Sequence, residues 1–481
     1  AQPAVKSRTL WLLLALVLGL RVATMGLYPL TDTTEARYAE MARKMVETGN
    51  WLTPMFDVGV PFWGKPPLSF WLSAVPMALA GASDFTARLG PLLAALGVMG
   101  LLGSWPHRYG RPRSFAVAAM LVFLSTPLGF IASAAVMTDM AMTAGTTLSM
   151  LAFWRAWSGT APVLWRWLFF AGLAVGLMAK GPVAGVLTGV AVALFVLVQG
   201  WHAGWVATAR RCWQALPWLR GALLTVALVA PWYLWAEQAT PGFLRYFIVG
   251  EHWYRFTQSG WKGDLYGVAH AQPKGRIWLF GLLCTLPWVL LAAWWKLRRS
   301  AATWTWAPGE STYLWAWLLS PLLFFTLSGN ILPAYVLPGL PAFALLAAAT
   351  WQRAADARST AWLAGFAGLL APGVLTGLVL LQPNLFAAFS EQATLRQLAS
   401  VPGELVYLYE RPDSAVFYSP TPVRVIVDEA EAIRQLLAGQ GKLVIPVRRL
   451  DSLGAQLKAR CWRELGRSKA YAAFVPGTCH G

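Results

Sequence analysis

Charge is what this chain has least of. Acidic and basic residues make up 12% of its 481 positions, where a soluble domain carries about a quarter, and 57% are hydrophobic. A soluble globular protein is thereby excluded, and a membrane class is the starting point. Cysteine is scarce too: Cys212, Cys284, Cys461 and Cys479 lie far apart, which excludes a cysteine-spaced metal site. The net charge of +18 forms no basic tail or stripe, so it does not point to nucleic acid. No small-residue cleavage site follows the first apolar run before the charged 32–47 stretch, so residues 10–25 read as a retained first helix rather than a removed signal peptide. Nor is there an internal repeat of the kind many transporters carry.

What the chain does have is long apolar runs. A spanning helix needs roughly 20 apolar residues. Eleven candidates stand near 10–28, 87–106, 114–133, 136–154, 163–179, 183–199, 221–236, 277–295, 313–328, 331–350 and 361–381. A shorter run, 68–80, contains Pro76 and could either span or lie at the interface. The basic clusters decide between these. If 68–80 does not span, the clusters at 108–113, 155–166, 210–220, 296–299 and 353–358 all join Lys6 and Arg8 in the cytoplasm, as the positive-inside rule requires. An interfacial helix is therefore expected there.

This topology puts three polar regions outside: a first loop at about 28–86, a second at about 237–276, and everything after Gln382. The chain accordingly divides into a helical membrane domain, 1–382, and a small soluble domain, 383–481. Strand-like runs at 404–409, 423–427 and 443–447 alternate with helical patterns at 429–437 and 452–460, so the second domain reads as α/β. Cys461 and Cys479 are then the pair placed in an oxidising compartment, and a disulfide between them is expected.

Candidate chemistry gathers in the outer regions. Asp32 and Glu35 open the first loop, where they either suit the positive end of the helix that follows or serve as a general base or metal ligand. In Gly64-Lys65-Pro66-Pro67 the prolines stiffen the backbone that presents Lys65, an ammonium suited to phosphate. Asp139 sits at the outer end of an apolar segment, where an acid is costly unless it faces water or a partner. Lys180 precedes Gly181-Pro182 on the same side, and Arg21 lies near the outer end of the first segment. The second loop carries Glu251, His252, Arg255, Lys262, Asp264, Tyr266, His270 and Lys274 with Trp253 and Trp261 interleaved, a mixture suited to binding a phosphate and stacking on a sugar face. Glu251 beside His252 leaves a divalent metal ion open as a cofactor.

Taken in order, Thr34-Glu35-Ala36-Arg37-Tyr38-Ala39-Glu40, Phe62-Trp63-Gly64-Lys65-Pro66-Pro67-Leu68, Thr138-Asp139-Met140, Ala179-Lys180-Gly181-Pro182 and Gly250-Glu251-His252 resemble the multi-spanning aminoarabinose lipid A transferases. Those are relatives of the protein O-mannosyltransferases among the GT-C glycosyltransferases. The resemblance covers about residues 10–381, and the C-terminal domain adds nothing to it. It implies an all-α polytopic GT-C fold carrying the α/β domain, in a bacterial inner membrane. It also implies an inverting transfer of a sugar from undecaprenyl phosphate to a lipid or glycan acceptor such as lipid A, in a cavity at the periplasmic face. By the same resemblance Lys65, Arg37 and Tyr38 lie at the carrier phosphate and Asp139 takes the second acidic position; Arg255, from the mixed second loop, is expected to support the phosphate ligands. Two departures stand out. Thr34 replaces an Asp of the first motif, which leaves the first-loop acid open between Asp32 and Glu35, with Asp139 the other candidate for the base; Gly64 replaces a Glu, which weakens an inherited metal site. A flippase for a lipid-linked sugar is the alternative; it predicts key acids near the midplane, reachable from both sides.

Overall fold

The computed structural model describes residues 7–105, 113–159, 162–297, 306–352, 357–431, 434 and 441–477. Arg108, Arg111, most of the 353–358 cluster, most of the 429–437 pattern and Cys479 lie outside the described residues. The first eleven helices are α1 Ser7–Thr24, α2 Thr34–Thr48, α3 Leu68–Ala80, α4 Asp84–Gly103, α5 Arg113–Ser125, α6 Pro127–Ala132, α7 Asp139–Trp157, α8 Val163–Lys180, α9 Val183–Ala203, α10 Trp205–Ala215 and α11 Trp218–Ala239. A π-helix, Arg245–Tyr254, runs into the single turn α12, Arg255–Thr257. There follow α13 Arg276–Thr285, α14 Trp288–Leu297, α15 Glu310–Thr326, a 3-10 turn Pro333–Gly339, α16 Leu340–Gln352 and α17 Ala357–Leu381.

Each of the eleven expected segments contains helix, but not each is an uninterrupted span. Among the described residues seven helices are long and apolar enough to cross a membrane, or eight if one bent pair counts as a span. The run 114–133 breaks at Thr126-Pro127, where Thr126 caps α6 by accepting from the Gly129 N–H. The run 277–295 bends by 83° between α13 and α14, at Pro287, which has no N–H to continue the helix. The helix α15 has 17 residues. The helix α7 carries Asp139, Arg155 and three threonines, yet nearly its whole surface is buried. It meets protein on almost every side, so it needs no lipid-compatible face.

Small residues let α7 and α8 approach closely. A Cβ on Gly145 would come within 2.6 Å of the Gly176 backbone nitrogen, and one on Gly172 within 2.5 Å of Ser149 Oγ. Because this close pair is antiparallel, the first residue of α7 meets the last residue of α8, and these are Asp139 and Lys180.

The first outer loop folds as α2, a short hairpin of β1 Met55–Asp57 and β2 Val60–Pro61, and α3. Arg88 of α4 fastens it. Fully buried, Arg88 clasps both Glu35 oxygens at 2.9 Å and donates to the carbonyls of Met25 (2.6 Å), Tyr28 (2.8 Å) and Pro29 (3.1 Å). The α3 helix coincides with the short run expected at 68–80 and packs on α2 and α4.

Beyond α18 (Pro383–Ala387) and α19 (Gln392–Leu398), a five-stranded sheet has the order β4-β3-β5-β7-β6. Its strands are β3 Leu405–Leu408, β4 Arg424–Ile426, β5 Lys442–Pro446, β6 Trp462–Arg467 and β7 Tyr471–Pro476. The first three answer to the expected runs and are parallel; β7 pairs antiparallel with β5 and β6. The strand β7 has five buried residues in succession, so it shows none of the alternation that marks a half-exposed strand. Helices α20 (Asp413–Tyr418) and α21 (Leu450–Ala459) flank the sheet. Cys461 is disulfide-bonded.

Candidate functional site

Lys65 stands just before α3, on a backbone that Pro66 and Pro67 hold rigid. Its Nζ donates to the Gly64 carbonyl at 2.6 Å and to Glu251 Oε2 at 2.9 Å. Gly64 is required by packing. A Cβ there would lie 2.6 Å from the ring of Phe62, which is itself buried against Phe70 and Tyr266. A glutamate at this position would displace that ring.

Glu251 comes from the π-helix and is the hub of the cleft. Its other oxygen accepts from Arg255 Nη1 at 2.8 Å and from the Tyr246 hydroxyl at 3.3 Å, and Arg255 also meets Asp264 at 3.1 Å. Burial alone would raise the Glu251 carboxyl, but Lys65 and Arg255 outweigh it and bring its pKa to about 2. The same carboxylate holds the Lys65 ammonium above its ordinary range against burial. An ammonium has three donors and a guanidinium five. The pair therefore grips Glu251 and still has N–H groups to offer an anion.

Tyr38 packs edge-on against Phe62 and Phe70, and its hydroxyl is pushed up by burial while sensing the charges of Lys65, Glu251, Arg37 and Lys180. Asp139 and Lys180 form a buried ion pair of 2.5 Å on the same side, with Lys180 Nζ 4.5 Å above the Tyr335 ring. Lys65, Glu251, Arg255, Asp264, Tyr38, Asp139 and Lys180 thus converge on one cleft.

Other expected residues are committed elsewhere. Asp32 accepts from the Ser414 backbone N–H at 2.8 Å and from the Ser414 hydroxyl, in the C-terminal domain. Glu35 is locked to Arg88 and sits under the Val136 N–H. Both acids hold loops together, as helix-end acids can, and neither contacts the Lys65–Glu251 pair. His252 donates from Nδ1 to the Phe247 carbonyl at 2.8 Å and packs edge-on to that ring, while burial pushes its pKa down to about 4. It is a neutral packing residue that backs Gly181, whose φ of +92° and lack of space for a Cβ (2.4 Å from Phe247) demand glycine. Arg21 bonds Tyr28 and the Ile131 carbonyl, and Lys262, His270 and Lys274 are exposed. Tyr266 braces the loop, accepting from the Trp63 N–H at 3.0 Å and donating to the Pro61 carbonyl at 2.8 Å. Among the described residues no group of three or more His, Cys, Asp or Glu side chains is placed to hold a metal ion. Both Glu251 oxygens already face cations.

Asn330 and Tyr335, like Tyr246 and Arg88, were not marked by the sequence. Asn330, buried before the 3-10 turn, donates to the Arg255 and Gln258 carbonyls (2.6 Å each) and accepts from the Gly260 N–H at 2.9 Å, which fixes the second loop. Tyr335 lies between Lys180 and Arg255. The single signal was a lone Asn at the head of an apolar run.

The fold and the cleft define a class: a multi-pass helical membrane protein with a cation-rich cleft beside a small sheet domain. The profile of the dolichyl-phosphate-mannose-protein mannosyltransferases matches residues 6–247. The chain belongs to that family of GT-C glycosyltransferases. It is 30% identical over 362 residues to the undecaprenyl phosphate-alpha-4-amino-4-deoxy-L-arabinose arabinosyl transferase of Erwinia tasmaniensis, covering 72% of this chain and 60% of that one. The enzyme of the same name from Aeromonas salmonicida is 30% identical over 374 residues, covering 73% and 62%. The chain thus spans about three fifths of the length of these relatives. The crystal structure of ArnT from Cupriavidus metallidurans bound to undecaprenyl phosphate superposes over 98% of both chains with a TM-score of 0.78 at 18% identity, which shows a shared fold.

Proposed function

We propose that this protein is an inverting glycosyltransferase of the bacterial inner membrane. It takes a sugar from undecaprenyl phosphate and places it on a lipid or glycan acceptor, lipid A foremost, at the periplasmic face. The N-terminus is then cytoplasmic and the sheet domain periplasmic. The observation that carries this reading is the Lys65–Glu251–Arg255 cluster: two cations, pre-positioned by a buried carboxylate, that keep donors free for a phosphate. The names of the relatives support the donor and the sugar class.

In the reaction an acceptor oxygen attacks the anomeric carbon from the face opposite the phosphate, and the bond from that carbon to the phosphate oxygen breaks with its electron pair going to the phosphate. Lys65 and Arg255, with Arg37 and Tyr38 alongside, neutralise the charge that builds there. Asp139, held by its ion pair with Lys180, receives the proton of an acceptor hydroxyl; a phosphate acceptor would bring no proton to remove. No step requires a divalent ion.

The test is transfer by purified protein from a panel of polyprenyl phosphate sugars to envelope lipids, read by mass spectrometry with and without a chelator. A new acceptor mass that disappears in Lys65→Ala establishes the reaction and names both substrates. No product from any donor, with movement of intact carrier across vesicles, would establish the flippase instead. Product that survives the chelator removes the metal from consideration.

A further inference from the structure

The sheet domain reaches the cleft through one short helix. Along α20, Asp413 pairs with Arg37, Ser414 holds Asp32, the Val416 carbonyl accepts from Arg43 at 3.2 Å, and the Tyr418 hydroxyl bonds Asp84 and accepts from the Leu30 N–H. Phe417 enters the same apolar cluster as Ala36, Ala39, Met41 and Phe62. A further contact across this junction, from Gln392 Nε2 to Asp84 at 3.1 Å, involves neither Arg37 nor Asp413.

The grip on Arg37 is one-sided. Asp413 Oδ2 takes its Nε at 3.0 Å, and the guanidinium lies over the Phe56 ring at 5.3 Å. Arg37 Nη1 comes within 3.7 Å of the position a Cβ on Gly267 would take, and Asp264 Oδ2, the partner of Arg255, within 3.9 Å of it. The guanidinium is therefore held at Nε, which leaves its two terminal nitrogens, with Nη1 on the Asp264 side, as the remaining edge. That edge is the one able to take a phosphate with two parallel hydrogen bonds.

We propose that Asp413 of the C-terminal domain is a positioning residue for the carrier phosphate, acting through Arg37, so that the docked domain is a working part of the donor site. This rests on the reading of Arg37 as a phosphate ligand. Asp413 touches no substrate itself; it sets the angle and register of a group that does. The pair is about one fifth exposed on each side, so its loss should weaken binding modestly, about fivefold, rather than unfold the junction.

The experiment measures binding of undecaprenyl phosphate to the purified full chain, with thermal melting alongside. Asp413→Asn should weaken binding about fivefold, and Arg37→Ala combined with it should bind no worse than Arg37→Ala alone. Gln392→Leu, which loosens the same junction without touching Arg37 or Asp413, should leave affinity unchanged. Asp413→Ser, which also suits the start of a helix, replaces the Asn variant if that one fails to fold. Equal binding by Asp413→Asn and wild type, or equal weakening in Gln392→Leu, would overturn the proposal and leave the proposed function standing. Failure of the wild type to bind the lipid would overturn both.

Discussion

Lys65 is both a counter-ion to Glu251 and the proposed ligand of the leaving phosphate, and a pair of substitutions separates these roles. In Lys65→Met the Glu251 carboxylate, whose side chain is 4% exposed, keeps only Arg255 and the Tyr246 hydroxyl. Stripping one partner from a buried pair costs about 3–5 kcal/mol, and the remaining cation puts this case near about 3 kcal/mol. Loss of one pre-positioned donor from the developing charge should lower kcat by about 10²–10³. Adding Glu251→Gln removes the stranded charge. The double variant should therefore recover most of the melting temperature while turnover stays at least about a hundredfold down. Melting curves and the mass-spectrometric transfer assay, run on the same three preparations, decide the matter. If turnover in the double variant returned to within about tenfold of wild type, Lys65 would be a structural counter-ion and the phosphate role would be lost.

Arg88→Met should leave Glu35 buried without its clasp and destabilise the protein by about 3–5 kcal/mol. Glu35→Gln should melt earlier but keep turnover per folded molecule within about tenfold; a stable, folded and inactive Glu35→Gln would make Glu35 the base after all. Burial pushes the Asp32 carboxyl up to about 7 despite its hydrogen bonds from Ser414, with Asp413 and Glu391 adding repulsion. Its proton is thus held more tightly in the docked state than in an open one. The sign follows: domain docking is strongest at acidic pH and weakens, by up to about tenfold per pH unit, as pH rises from about 4 to about 7. Hydrogen exchange of α20 at pH 5.5 and pH 8 should show this difference in wild type and a smaller one in Asp32→Asn, because burial also raises the carboxyls of Asp413 and Glu391 at the same junction. Equal protection at both pH values in wild type would contradict it.

How much of this was legible beforehand depended on whether the controlling interaction is local. Apolar runs located helix in each of the eleven expected segments, because hydropathy is a property of neighbours in sequence, though seven or eight of the described helices are long and apolar enough to span. The Pro-Pro brake behind Lys65 and the cost of an acid within an apolar run at Asp139 are likewise local, and both residues stand in the cleft. The breaks at Thr126-Pro127 and Leu286-Pro287 were written in proline, yet only packing decided that they interrupt the helices. The C-terminal sheet was half visible, since alternation marks strands with one wet face and β7 has none.

The roles of the acids were decided by tertiary structure alone. Asp32, Glu35, Asp139 and Glu251 are the same functional group, and each takes its part from whatever donor reaches it: Ser414, Arg88, Lys180, or Lys65 with Arg255. Those partners lie 382, 53, 41 and 186 residues away, with Arg255 alone nearby at four. Short-range pattern determines which segments enter the membrane and which residues are costly there. Long-range charge pairing in a low-dielectric interior determines which of those residues are structural and which are left to face a substrate.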